Sequence, residues 1–299
     1  MYDGEIRGMK RHGYGKYMEE SGIKRSSGVW DEGIRTGEGR YYYDSGKVMY
    51  SGDYKDGHRH GKGKFFYESG AVMYVGDWEN GKTKGNGVNY YEDGTKIYEG
   101  AFIDHKFEGD GISYYQNNNK KMYCGGFKNN HFHGKGKYYW ENGNVHYDGE
   151  INEHQYEGYG NEYHENGKKK YEGYWLNNMK HGKGKKFDRK ERLRYVGEFK
   201  DHHRDGHGSY YDKSGLLEYE GQWAIGKCNG HGQYFFEDGK IMYDGTWKDG
   251  KYEGEGTDYY ENGQERYIGG WKENRRHGEG KAYDEKGKLV ESGVWIMGK

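Results

Sequence analysis

The chain has no proline in its 299 residues and only two cysteines, Cys124 and Cys228. Without proline, neither a rigid polyproline linker nor a PxxP ligand is available. Two cysteines about four repeats apart make no disulfide framework, and a reducing compartment suits them. Aliphatic residues are scarce: Leu, Ile and Val together with Phe number 35, about 12% of the chain. No stretch approaches the roughly 20 apolar residues of a membrane span. The opening Met1-Tyr2-Asp3-Gly4 offers no apolar signal core. Charge of one sign is also missing. Lys and Arg total 48 against 49 Asp and Glu, a net charge of −1. So poor an aliphatic content accompanies disorder only when net charge is high. Here the apolar mass resides in 35 Tyr, 10 Phe and 8 Trp. Each buried aromatic covers about 150–250 Å², enough to order a thin sheet.

What is abundant is glycine, and its 56 copies are periodic. One column is the Gly of Tyr-x-Gly-x-aromatic, from Gly4 through Gly52, Gly76 and Gly100 to Gly293, spaced by 24 with a single gap of 25. Twelve Gly-x-Gly pairs, Gly13/Gly15 to Gly278/Gly280, form two more columns, and a turn glycine recurs ten times. These columns leave no room for a separate catalytic domain, so function must reside on a repeat surface. Residues 1–299 are expected to be one continuous array.

In Tyr50-Ser-Gly52-Asp-Tyr54 the period of two marks a strand, with Tyr50, Gly52 and Tyr54 on one face. A polar loop, Lys55 to His60, should lead into the second strand, Gly61-Lys-Gly63-Lys-Phe-Phe66. A second aromatic column, Tyr42, Phe66, Tyr90, Tyr114 and their equivalents, follows the glycine pair by three. Asp93-Gly94, Asn142-Gly143 and Asn262-Gly263 then read as two-residue type I′ hairpin turns. The expected fold is all-β, an elongated antiparallel β-meander of about twelve 24-residue hairpins plus a terminal strand. Some 25 strands at about 4.8 Å each would extend roughly 115 Å. Two turns deviate: Asn117-Asn118-Asn119 carries the insertion, and Glu191 takes a glycine position. Because Glu adopts the left-handed conformation poorly, a reshaped turn is expected there.

Tyr74-Val-Gly76-Asp-Trp78…Gly85-Asn-Gly87 and Tyr243-Asp-Gly245-Thr-Trp247…Gly254-Glu-Gly256 resemble the MORN repeat, and the resemblance covers essentially the whole chain. It implies an elongated β-sheet scaffold. Such repeats occur in junctophilins, some phosphoinositide kinases, SET-domain methyltransferases, and ciliary radial-spoke and cytoskeletal proteins of protists, and many work as protein-interaction or dimerisation modules. The Tyr-, Asn- and Lys-rich units are similar to those of protist relatives.

Three candidate surfaces follow. The aromatic column Tyr54, Trp78, Phe102, Phe127, Trp175, Phe199, Trp223, Trp247 and Trp271 could receive a partner segment, or could pack only against neighbouring repeats. A basic cluster, Lys180, Lys183, Lys185, Lys186, Arg189, Lys190, Arg192 and Arg194, could dock an acidic protein or anionic lipid, or could be a solvated turn. The apolar end, Trp295, Ile296 and Met297, could dock a second copy or another subunit through the sheet edge. Histidines before the glycine pairs (His12, His60, His133, His181, His277) lack the convergence metal ligation needs. No Gly-x-Gly sits in a dinucleotide fingerprint and no phosphate loop is present. Neither enzyme activity, metal, cofactor nor nucleic-acid partner is expected. The chain reads as a scaffold for other protein subunits, cytoplasmic and cytoskeletal or axonemal. The alternative is a membrane adaptor for anionic phospholipid.

Overall fold

A computed structural model describes residues 1–299, and all regular structure in it is β: twenty-five strands, each of six to nine residues. The chain divides into two compact units, Met1–Val145 with Glu150–His154, and His146–Gly149 with Gln155–Lys299. Within each, sequence-adjacent strands pair antiparallel, as the meander requires. Every repeat supplies a first strand such as Val72–Glu79 and a second such as Lys82–Tyr90.

The turns are assigned the other way round from the sequence expectation. First and second strands join through two residues, not a six-residue polar loop. Lys55 pairs with His58 across Asp56-Gly57, where φ is +50° and +79°. Two positive φ values in a two-residue loop make a type I′ turn, whose twist suits the strands it joins. Asp93-Gly94, expected to be that turn, belongs to a three-residue connection between repeats. The Tyr91 amide donates to Thr95 O at 2.8 Å and the Gly94 amide to Tyr91 O at 3.0 Å, and only Gly94 is left-handed. Asp93 Oδ1 accepts the Thr95 amide at 2.8 Å, which stabilises the turn locally.

Glu191 does not reshape its turn. At φ +67° it occupies the glycine position of the same three-residue connection, with Asp188 N to Arg192 O at 3.0 Å. The cost of the left-handed glutamate is offset by Asp188. Its carboxylate accepts the amides of Lys190 and Arg192 and pairs with the Arg192 guanidinium at 2.7 Å. The insertion lengthens its connection by one residue, and Asn119 takes the left-handed place.

Gly-x-Gly serves two different needs. Trp78 pairs with Thr83 but Gly76 with Gly87, so three residues of the second strand bulge opposite Asp77. The first glycine, Gly85, sits in this bulge at φ +98°. Asp77 Oδ2 accepts the Asn86 amide within it at 3.0 Å. The second, Gly87, lies under the Tyr74 ring, where a Cβ would fall 2.5 Å from the ring hydroxyl.

The core follows from that arrangement. Ten tyrosines of the Tyr-x-Gly column, Tyr50 to Tyr267, lie flat over the glycines at no more than 3% exposure. Their hydroxyls donate to the carbonyl three residues on, as Tyr74 does to Asp77 O at 3.0 Å and Tyr243 to Thr246 O at 3.1 Å. Most of these rings meet two rings edge-on, as Tyr74 touches Trp78 at 5.4 Å and Phe102 of the next repeat at 5.1 Å, while Ile151 replaces the ring between Tyr123 and Tyr147. Such pairs contribute about 0.5–1.5 kcal/mol each beyond burial. A third column covers the tyrosine from the second strand, through aromatic stacking (Phe107 on Tyr98 at 3.9 Å) or through a cation (Arg59, 5.4 Å from the Tyr50 centroid).

One repeat lacks its tyrosine. Ser26 stands in the column, and the Arg35 guanidinium fills the space over Gly39. It lies 4.1 Å from the Tyr54 centroid and donates to Ser27 O and Arg40 O, with no carboxylate in reach of a salt bridge. Ser26→Tyr alone therefore crowds Arg35 and costs about 1–3 kcal/mol. Combining it with Arg35→Thr, the residue Thr83 supplies beside Tyr74, returns the thermal midpoint to wild type or above. Equal midpoints for the single and double variants would contradict this exchange.

Candidate interaction surfaces

The nine rings expected at a docking face are the core. Tyr54, Trp78, Phe102, Phe127, Trp175, Phe199, Trp223, Trp247 and Trp271 are 2–8% exposed, each clamped between tyrosines of its own and the preceding repeat where those are present. Four also use their indole N–H internally. Trp175, Trp223, Trp247 and Trp271 donate to the carbonyls of Gly160, Gly208, Gly232 and Gly256 at 2.9–3.2 Å. The expectation of an exposed aromatic docking stripe is corrected accordingly. A single-layer sheet has no other apolar mass from which to build an interior.

What remains open is the opposite face. Residues alternating with the core positions point there, and the glycines present only their backbone to it. In the second unit Gly173, Gly184, Gly197 and Gly208 floor a trough of about 530 Å³. Tyr159 and Tyr174 wall it, exposed by 43% and 52% and in edge contact at 5.5 Å. Lys183, Lys185, Val196, Glu198 and His207 line the rest. In the first unit a trough of about 820 Å³ runs past Lys62, Lys64, Phe66, Val75 and Val88. Sequence reading missed Tyr159 and Tyr174, although their signal was present: each is an aromatic at a position otherwise held mostly by polar or small residues, and they are directly paired across neighbouring strands.

The basic cluster does not converge. Lys180 lies on the ring face, bridged to Glu162 at 2.9 Å and 5.0 Å from the Tyr171 centroid. Lys183 and Lys185 face the opposite trough, and Lys186 returns to the ring side, opposite Tyr171. Arg189 and Lys190 are exposed in the connecting turn. Arg192 is spent on Asp188, and Arg194 donates to Tyr210 Oη at 2.9 Å. The strand alternation that places sequence neighbours on opposite faces dissolves a single patch into three settings.

The apolar end is likewise divided. Trp295 is buried at 5% exposure, 5.1 Å edge-on from Tyr267, and so is not a free docking residue. Met297 enters a tight turn at φ +53°, while Ile296 is 69% exposed beside exposed Val294 and Val290. Both cysteines are free thiols. Burial pushes Cys228 up to about 11, so little thiolate forms there at neutral pH. His12, Asp31 and Glu32 approach one another, but His12 Nδ1 already lies 3.2 Å from Asp31 and Glu32 3.0 Å from Lys10. No helix is long and apolar enough to cross a membrane.

Against known families, the MORN repeat profile matches residues 2–18, 50–72, 74–96, 98–120, 123–145, 171–187, 195–216, 219–241, 243–265 and 267–288. A MORN repeat variant matches 35–56. A search of curated proteins returns no match. Among solved structures, 94% of the chain aligns with 17% of a chain in "Crystal Structure of TcdB2-TccC3-TEV", at 10% identity and TM-score 0.19. In "Crystal Structure of TcdB2-TccC3-Cdc42" the figures are 93%, 16%, 11% and 0.20. The present chain thus spans about a sixth of those chains, and the likeness carries no structural argument.

Proposed function

The chain belongs to the MORN-repeat family, and on that premise we propose that residues 1–299 act as one non-enzymatic repeat array that scaffolds other protein subunits. MORN repeats are generally linked to protein or membrane interactions. The observation that carries the protein reading is the trough beside Tyr159 and Tyr174. Two large rings left half in water at a glycine floor are what a partner segment would bury. The balance of 48 basic against 49 acidic residues supports protein over membrane. A cytoskeletal or axonemal, radial-spoke-like setting is the assembly we infer, from the resemblance of the units to protist relatives.

The test is affinity purification with Tyr159→Ser/Tyr174→Ser beside the wild-type chain. Specific partners should be lost or weakened about tenfold or more, with the circular dichroism spectrum unchanged. Full retention of every partner would remove this trough from consideration. In parallel, the chain should stay in the supernatant with phosphatidylcholine vesicles carrying phosphatidylserine or phosphoinositide. Pelleting with the anionic vesicles alone would favour a phospholipid adaptor instead.

A further inference from the structure

In two repeats one position holds an ion pair across adjacent strands. Its cation precedes the core tyrosine, and its acid faces that tyrosine from the strand before. Arg266 holds Asp258 through both carboxylate oxygens at 2.7 Å, with Asp258 only 3% exposed. Lys170 holds Glu162 at 2.7 Å. The register is the same in both: Asp258 opposite Tyr267 and Glu162 opposite Tyr171.

In the repeat of Tyr195 the cation is Arg194, but the residue opposite the tyrosine is Lys186. The acid is replaced by a second cation. Arg194 Nη2 donates to Tyr210 Oη at 2.9 Å, while its Nη1 is shielded from solvent with no hydrogen-bond partner. A third cation, Arg204, lies against the same ring. Its Cζ is 5.0 Å from the Tyr210 centroid, and that of Arg194 is 5.4 Å from it. Together with Phe187, Tyr195 and Asp188 they line a cavity of about 310 Å³.

The acids nearby are committed elsewhere. Asp188 is held by Arg192, Glu162 by Lys170 and Lys180, and Glu218 accepts from Tyr234 Oη at 3.0 Å. Burial holds the Arg204 guanidinium below its ordinary pKa, as expected of a cation without a counter-charge. Three cations around one cavity, one with an orphaned donor, form a site short of one anion.

We propose that this cavity receives a carboxylate side chain from an acidic segment of a partner protein, completing from outside the pair that Glu162 and Asp258 complete from within. This deepens the scaffold reading above and rests on it. A carboxylate is the anion indicated because the two other repeats with a cation before the core tyrosine and a charged residue opposite it hold one at that place, in bidentate geometry in the case of Arg266.

A fluorescein-labelled Glu-Gly repeat peptide, compared with its Gln-Gly counterpart by anisotropy at low salt, reads the site directly. The Glu peptide should bind at least about tenfold more tightly than the Gln peptide. Lys186→Glu should abolish that difference and raise the thermal midpoint by about 2–4 °C, because the acid then pairs with Arg194 internally. Arg194→Gln should weaken the Glu peptide without raising the midpoint. Lys185→Glu, on the opposite face, should leave binding within about twofold. Equal binding of the two peptides, or equal losses from Lys185→Glu and Lys186→Glu, overturns the proposal. So does Lys186-dependent binding of inorganic phosphate or phosphatidylserine vesicles in preference to the peptide. Partners captured equally by wild type and Lys186→Glu would sink this site while leaving the scaffold reading, which is tested at Tyr159 and Tyr174.

Discussion

Tyr171→Ala lowers the stability of the protein by about 3–5 kcal/mol, the range for deleting a fully buried aromatic. Tyr171 is 0% exposed, and its ring touches Trp175 at 5.1 Å and Phe199 at 5.2 Å, edge-on in both cases. Its hydroxyl donates to Tyr174 O at 3.0 Å. The positions beneath the ring are glycines, Gly173 and Gly184, which offer nothing to fill the vacancy, and the one long side chain over the ring, Lys180, would have to leave Glu162 to do so. The loss therefore exceeds the transfer term of one ring, since both flanking rings lose their contact on one side. Repeat arrays derive their cooperativity from nearest-neighbour interfaces. Urea unfolding followed by circular dichroism should accordingly broaden or split as well as shift. A variant that unfolds at the wild-type midpoint would mean the rings decorate the sheet rather than hold it together.

Gly111→Ala is the second large effect and has the opposite physical origin. A Cβ at Gly111 would lie 2.5 Å from Tyr98 Cζ. Tyr98 cannot yield, being stacked on Phe107 at 3.9 Å and held by its hydroxyl on Ala101 O at 2.9 Å. Overpacking of this kind costs about 1–3 kcal/mol. Gly94→Ala is the informative contrast. Nothing lies within 4 Å of a Cβ there, and only φ +86° resists it, so about 1 kcal/mol is expected. Glu191 already occupies an equivalent place at φ +67°. Combining Gly111→Ala with Tyr98→Ala should cost clearly less than the two separately, because the clash is gone once the ring is. Additive losses in chemical denaturation would refute the clash as the cause.

Much of the fold was legible because period-2 alternation and glycine spacing are local properties. They gave the strands, their antiparallel order and the shared face of Tyr50, Gly52 and Tyr54. Turn type was less legible. Asp93-Gly94 and Asp56-Gly57 are the same dipeptide in different turns, and the choice depends on where the flanking strands begin to pair. The bulge at Gly85 was hidden for the same reason, since a register shift belongs to two strands at once.

The sequence by itself determined that this is a MORN-repeat β-meander whose apolar content is aromatic and whose glycines recur in fixed columns. Only the tertiary structure decided which surface is free. Each ring's burial depends on a ring of the neighbouring repeat, 28 residues away in the chain, so Trp78 and Trp247 read as docking residues until Tyr50 and Tyr219 are seen against them. Likewise, eight neighbouring cations read as one patch until alternation sends Lys183 and Lys186 to opposite faces. On the ring side, Lys186 lines one cavity with Arg194 where two sister repeats place an acid.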